Sequence, residues 1–454
     1  MAYDPLGNEV SLSSKTGLSG IEDFVDGFLA YETKAGRVLR AASDDSECFL
    51  AQVYAGLIAM FSEAPDAPKN ALLWVQRADG VSGRANRREK MMLEMLRAWM
   101  HNDVPRALRI GDEVIADYPT DLVALKLHQI FNFNMGNADE MLRIANAGLP
   151  ANQGNAYMHG MLAFAHEQCH HLDEAEASAR RAIDLKYKEP WAHHALAHVM
   201  LTQGRVPEGV AFLTDASTSW TELNSFMHTH NWWHLALFHI SMGDFDKVLE
   251  IYDRECWSQD RTYSQDQVGA VSLLARIEIA GGDVGSRWAE LGAYLKSRDH
   301  DTVLPFLSLQ YLYGLSKAGL GEARELLEAI ERRAANAPPF ESKAWREVAV
   351  PAANGIIDYV EGRYETAAAH LSKAMPRMME IGGSHAQRDL FAQILLDAHI
   401  KAGHVETARE MLESRLKYDP NGAPLNRMLA ETYEKLGLLD NAAEARTRRY
   451  QAVA

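Results

Sequence analysis

The sequence predicts an all-α fold, a superhelix of stacked helical hairpins (an α-solenoid). Three observations predict it. A helix–turn–helix segment recurs along the chain, strand-like alternation is almost absent, and glycines and prolines stand singly instead of in linkers. One hairpin cannot bury its own apolar face, so roughly ten degenerate copies are expected to stack and share one continuous core.

The recurring segment is a helix, a short turn with Gly or a polar residue, an acidic residue and an Ala-rich second helix. Weak copies come first, around Asn102 (HNDVPRAL) and Gly136 (NMGNADEML). Fuller ones follow at Met161–Ala182, Ala195–Leu213 and Leu235–Ile251, then a weak one around Gly282, then Gly355–Leu371, Leu395–Leu412 and Met428–Ala445. Small residues such as Ala163, Ala175, Ala182, Ala430 and Ala443 are expected where the two helices of a hairpin touch, because close approach needs small side chains there. The segment resembles the tetratricopeptide repeat. Spacing is uneven: the turns at Gly204 and Gly243 are 39 residues apart and those at Gly403 and Gly437 are 34 apart. Residues 1–20 read as an N-terminal extension and 21–454 as a single tetratricopeptide-like superhelical domain.

Composition narrows the partners. The 454 residues carry a net charge of −16, and counterion release on nucleic acid needs clustered Lys and Arg, so no nucleic-acid partner is expected. Short basic clusters such as Arg84, Arg87 and Arg88 read as solvated helix faces. Three scattered cysteines, Cys48, Cys169 and Cys256, do not make a disulfide framework and point to a reducing compartment. No signal peptide and no apolar span of about 20 residues is visible, so the chain reads as cytoplasmic and not membrane-bound. A homo-oligomer is open.

The 18 histidines are uneven, with eleven of them between His159 and His239. Such enrichment calls for a reason, since each ring brings polar atoms into a core. In the hairpin that turns at Gly204, the repeat places Trp191, His194 and His198 on the concave wall. His194 and His198 are four apart and share one helix face. The same count in the next hairpin puts His230 and Trp233 on that wall, with His234 beside it. The competing reading has each ring packed in an inter-repeat seam and satisfied by a neighbouring carbonyl.

His166-Glu167-Gln168-Cys169-His170 matches H-E-x-x-H, the zinc-protease pattern, which requires both histidines on one uninterrupted helix. The repeat register puts His170 in a turn, so the match is set aside. Late in the chain, Gly382-Gly383-Ser384-His385-Ala386-Gln387-Arg388-Asp389 reads as a loop and N-cap. Arg388 and Asp389 are read there as a surface pair or, if the superhelix brings Gln387 and Arg388 to the groove, as an anchor for a carboxylate or phosphate. Asp266, near Arg298-Asp299-His300, reads either as a helix cap or as the carboxylate that orients one of the histidines.

With those residues in hand, the chain resembles the tetratricopeptide repeat protein 38 family, found in bacteria and animals, and reads as a bacterial member. The likeness rests on Trp191-x-x-His194-x-x-Ala197-His198, on His230-Asn231-x-Trp233-His234-x-Ala236-Leu237, and on Gly382-Gly383-Ser384-x-Ala386-Gln387-Arg388-Asp389. Val284-Gly285-Ser286-Arg287-Trp288 adds to it. The resemblance implies a repeat superhelix with a filled interior and supplies no reaction, ligand or catalytic residue.

Three functions follow as expectations. The first is a binding protein whose His/Trp-rich groove, lined by Trp191, His194, His198, His230, Asn231, Trp233, His234, Asp266, Gln387, Arg388 and Asp389, captures a small polar ligand or peptide segment. The second is an enzyme, a hydrolase or lyase, that uses His194, His198, His230, His234 and Asp266 as general acid/base groups or metal ligands. The third is a scaffold in which the histidines are only core. No cofactor is predicted, although a divalent metal is allowed. Neither a phosphate-binding loop nor a nucleophile elbow is present in the sequence.

Overall fold

The computed structural model describes residues 2–11 and 14–450, and among them the architecture is all-α: antiparallel helical hairpins in tetratricopeptide-like succession. A two-residue β-hairpin, β1 (Ala2–Tyr3) against β2 (Glu9–Val10), precedes the first helix, α1 (Lys15–Ala30). Strands of two residues are too short to leave an alternating pattern, so the sequence gives no sign of them. Tertiary packing holds this hairpin in place. Buried Arg88 donates to Asp121 (2.7 Å) and to the Glu9 carbonyl (3.2 Å) and pairs with Asp4 (3.4 Å).

By packing density the chain divides into two units, Met1–Ala195 with Ser219–Met227, and Leu196–Thr218 with His228–Ala454. In the first, Phe49–Met60 pairs with Ala67–Gly80, Arg87–Met100 with Val104–Asp117, and Leu122–Asn134 with Ala138–Gly148. α2 (Ala156–Gln168) then pairs with Leu172–Leu185. The first helix of several pairs is buried nearly all round, as in Leu122–Asn134. The second buries one stripe, as where Ala175, Ala179 and Ala182 are fully enclosed. That division of labour lets neighbouring hairpins share one apolar layer.

α3 (Pro190–Thr202) and α4 (Ser225–Met242) are continuous helices through which the boundary between the units runs. The second unit continues with α5 (Ser264–Ile279), with further pairs at Pro305–Lys317/Glu322–Asn336 and Val350–Val360/Tyr364–Ala374, and with α6 (His385–Ala402) against Val405–Arg415. It closes on Ala423–Lys435 and Leu439–Thr447. In that last pair the seam falls on buried Ala442 and Ala445, while Ala443 is exposed. The expected register was one residue off, which on a helix turns a side chain by about 100°.

The turns from Gly204 onward keep the uneven spacing the sequence suggests, but the earlier ones are regular. Asn102, Gly136, His170 and Gly204 all adopt left-handed backbone, with φ of 52°, 72°, 58° and 68°, and they are spaced 34 residues apart. Glycine enters this region freely, whereas a side chain strains it, so the two non-glycine members hid the regular spacing of these four turns from a reading based on glycines. No helix among the described residues is long and apolar enough to cross a membrane.

Candidate functional site

α3 begins at Pro190, whose missing N–H costs nothing in a first turn. Buried Glu189, just before it, accepts a hydrogen bond from the Ala192 amide. α4 is started by Asn224, whose Oδ1 accepts from the Met227 amide at 2.9 Å. Each helix carries two histidines four residues apart, which one helical turn stacks on a single face. On α4 these are His230 and His234. On α3 they are His194 and His198, and the continuous helix fixes His194 one turn before His198.

The structure brings these four imidazoles together. All are buried, and one ring nitrogen from each lies within 4.8 Å of the others. The His198 and His234 rings are 4.5 Å apart, and His230 meets His234 edge-on at 4.8 Å and 88°. Burial, helped by the neighbouring His198, pushes His230 down to about 3, so His230 is neutral at physiological pH. A neutral imidazole keeps a nitrogen lone pair, and this group of four could hold a metal ion.

Trp233 packs against His230 of this group. Its indole stacks on His230 at 5.4 Å and 7°, and the Arg276 guanidinium lies 5.2 Å from the indole centre. Arg276 sits on α5 and is buried. It donates to the carbonyls of Ala386 (2.5 Å) and Gln387 (3.3 Å) on α6 and to the Ser272 hydroxyl. Burial lowers it to about 10, against the opposing pull of Asp389, while Arg415 adds to the lowering. Sequence reasoning missed Arg276. The signal was there: a cation inside the otherwise apolar run Leu273–Ile277 is costly unless its donors are satisfied.

The other expected residues fall into three places. Asn231 is buried on α4. Trp191 lies in the first unit, half-buried, stacked on His194 at 4.3 Å and packed against Phe164 and Tyr31. Asp266 is buried in the first turn of α5, where it accepts from the Thr229 hydroxyl and the Asp260 amide, each at 3.1 Å, and so ties α5 to α4 beside His230.

The late motif is built as a helix start. Ser384 and Gln387 form a reciprocal capping box, and buried Arg388 turns its guanidinium onto the carbonyls of Gly382 and Gly383. Asp389 makes a two-pronged pair with Arg415 at 2.7 Å and 2.7 Å instead of pairing with Arg388. Burial raises the Asp389 carboxyl, but Arg415 outweighs this and holds it at about 2. Arg298 is buried against Gln267, Asp301 and the Thr262 carbonyl, while Asp299, His300 and Glu325 form a second, solvent-facing group. H-E-x-x-H is not a site of the required kind, since α2 ends at Gln168 and His170 occupies the left-handed turn.

No family model matches the chain. Among solved structures, the human IFIT1 dimer with PPP-AAAA is 13% identical, with 94% of each chain covered and a TM-score of 0.42. The human IFIT1 dimer with m7Gppp-AAAA is 14% identical, covering 98% of this chain and 96% of that one at 0.43. The tetratricopeptide domain of P58(IPK) is 13% identical over 79% of this chain and 91% of its own at 0.23. These are likenesses of helical-repeat fold and no more. They do correct one expectation, the exclusion of nucleic acid. IFIT1 was solved with PPP-AAAA and m7Gppp-AAAA. A whole-chain charge sum says little about a buried site, and Arg276 is a buried cation beside Trp233.

Proposed function

We propose that this chain is a binding protein whose buried wall of imidazoles captures a small polar ligand, with anionic groups favoured by the adjacent guanidinium of Arg276. The observation that carries this reading is the convergence of His194, His198, His230 and His234 within 4.8 Å. Rings that only filled seams would have no cause to gather their polar atoms at one point, where each must still find a partner. Trp233 and Arg276 then set the position of the wall, and Gln387 and Arg388 shape the loop whose following carbonyls hold Arg276. In this reading residues 21–454 act as one functional module. Its finer placement, in the tetratricopeptide repeat protein 38 family, is supported by the three quoted motifs, which supply α3, α4 and the start of α6.

The enzyme reading is served less well. A base held at about 3, as His230 is, takes up a proton too weakly to work near neutral pH, so metal-free acid/base chemistry through that ring is disfavoured. Native mass spectrometry of the untagged chain, beside His230→Gln, tests the capture reading. A small-molecule adduct is expected in the first and not in the second, with both folded by circular dichroism. A chain with no adduct and no histidine NMR shift against a panel of phosphates, carboxylates and nucleotides would count against it.

A further inference from the structure

The four imidazoles have a geometry that a ligand pocket does not need. They come as two pairs at i, i+4 spacing on α3 and α4, and every one of the four nitrogens lies within 4.8 Å of the other three. Hydrogen bonding between neutral imidazoles joins rings two by two and does not require all four to face one point. A tetrahedral ion does require this. With zinc–nitrogen distances of about 2.0–2.1 Å, the nitrogens of such a site stand about 3.3 Å apart. The observed upper limit exceeds that by about 1.5 Å, a gap that small side-chain rotations on two fixed helices close. Imidazole suits late first-row ions, and all four donors come from the borderline class that binds Zn(II).

We propose that His194, His198, His230 and His234 form a tetrahedral site for a divalent transition-metal ion, zinc(II) foremost, to which an anionic ligand adds as a further donor. The reason for the anion is charge. Four neutral imidazoles leave the ion's double charge undiminished, and a buried double charge is costly until an anion joins it. Arg276, held beside Trp233, adds to the same positive field. This inference rests on the capture reading above, and names how the ligand would be held.

The test uses the full chain, purified without a histidine tag and stripped with a chelator, then titrated calorimetrically with zinc chloride alone. One equivalent is expected to bind. The His198→Gln/His234→Gln double variant is expected to weaken binding by more than about a hundredfold. His166→Gln/His170→Gln, which removes the zinc-protease pattern, is expected to bind as the unaltered chain does. Absent stoichiometric binding, or binding lost in the second variant and kept in the first, overturns the proposal. Should the first variant fail to fold, cobalt(II) loading of the unaltered chain decides. Intense visible bands of a tetrahedral nitrogen site support the proposal, and the faint bands of an octahedral ion sink it. If zinc does not bind while the small-molecule adduct persists and depends on His230, the metal is removed and the capture reading survives. If zinc binds and no ligand is found, the reverse holds.

Discussion

Replacing Arg276 by Met sets two large effects against each other, and the structure gives both sides. Burial lowers the guanidinium from 12.5 to about 10. At about 1.4 kcal/mol per unit, keeping it charged inside the fold costs about 3.5 kcal/mol, which a methionine of similar length avoids. On the other side stand the bonds to the Ala386 and Gln387 carbonyls and the Ser272 hydroxyl, and the contact with Trp233. Both carbonyls lie within α6 and keep their helical partners, so each lost bond costs about 1.5 kcal/mol at most. The cation–π contact adds about 1 kcal/mol. The two sums nearly cancel, so Arg276→Met should shift stability by no more than about 1–2 kcal/mol in either direction. Urea unfolding followed by circular dichroism reads this as a midpoint shift at unchanged slope. The anion dependence of any captured ligand should weaken in the same variant. A loss of more than about 4 kcal/mol would show that Arg276 is held chiefly for the fold, and would refute the reasoning.

Trp233→Ala should cost about 3–5 kcal/mol, because the indole is fully enclosed and its neighbours His230 and Arg276 cannot collapse into the space; a thermal melt checks it. His170→Gly should raise stability by about 1 kcal/mol, since it relieves a left-handed backbone that the turns at Gly136 and Gly204 give to glycine, and it should leave zinc content unchanged. Glu189 supplies a pH signature. Burial raises its carboxyl from 4.5 to about 8, while the Ala192 amide, Lys126 and Lys186 pull the other way. Because the folded pKa is raised, its contribution is whole below about pH 4.5 and is lost as pH rises to about 8. Glu189→Gln should flatten that fall, worth roughly 3–5 kcal/mol, and equal pH slopes for the two chains would contradict it.

Much of the fold was legible because it is local. The turn residues, the acidic residue after each turn and the alanine stripe at Ala175, Ala179 and Ala182 follow from backbone geometry and helix contact, which neighbouring residues dictate. The 34-residue spacing of the turns from Asn102 to Gly204 was missed where Asn102 and His170 stand in for glycine, since the left-handed conformation, not the residue type, is what repeats there. The register at Ala442 and Ala445 slipped because a pattern read without the helix start can be turned by a single residue.

The site divides in the same way. Each histidine pair was legible on its own, as the spacing of His194 with His198 and of His230 with His234 is enough to stack two rings on a helix face. Asp389 and Arg388 were misread as neighbours because they adjoin in sequence, whereas successive helical residues point apart and Asp389 reaches Arg415, 26 positions on.

What the sequence determined by itself is the all-helical repeat and the two i, i+4 histidine pairs, for these depend on contacts within a turn or two of the chain. Only the tertiary structure decided that the two pairs meet, that Arg276 lies by Trp233, and that the carbonyls of Ala386 and Gln387 come back to hold it. Those last partners are 110 and 111 residues away along the chain. Long-range packing brings such groups together, and no local rule of spacing carries that information.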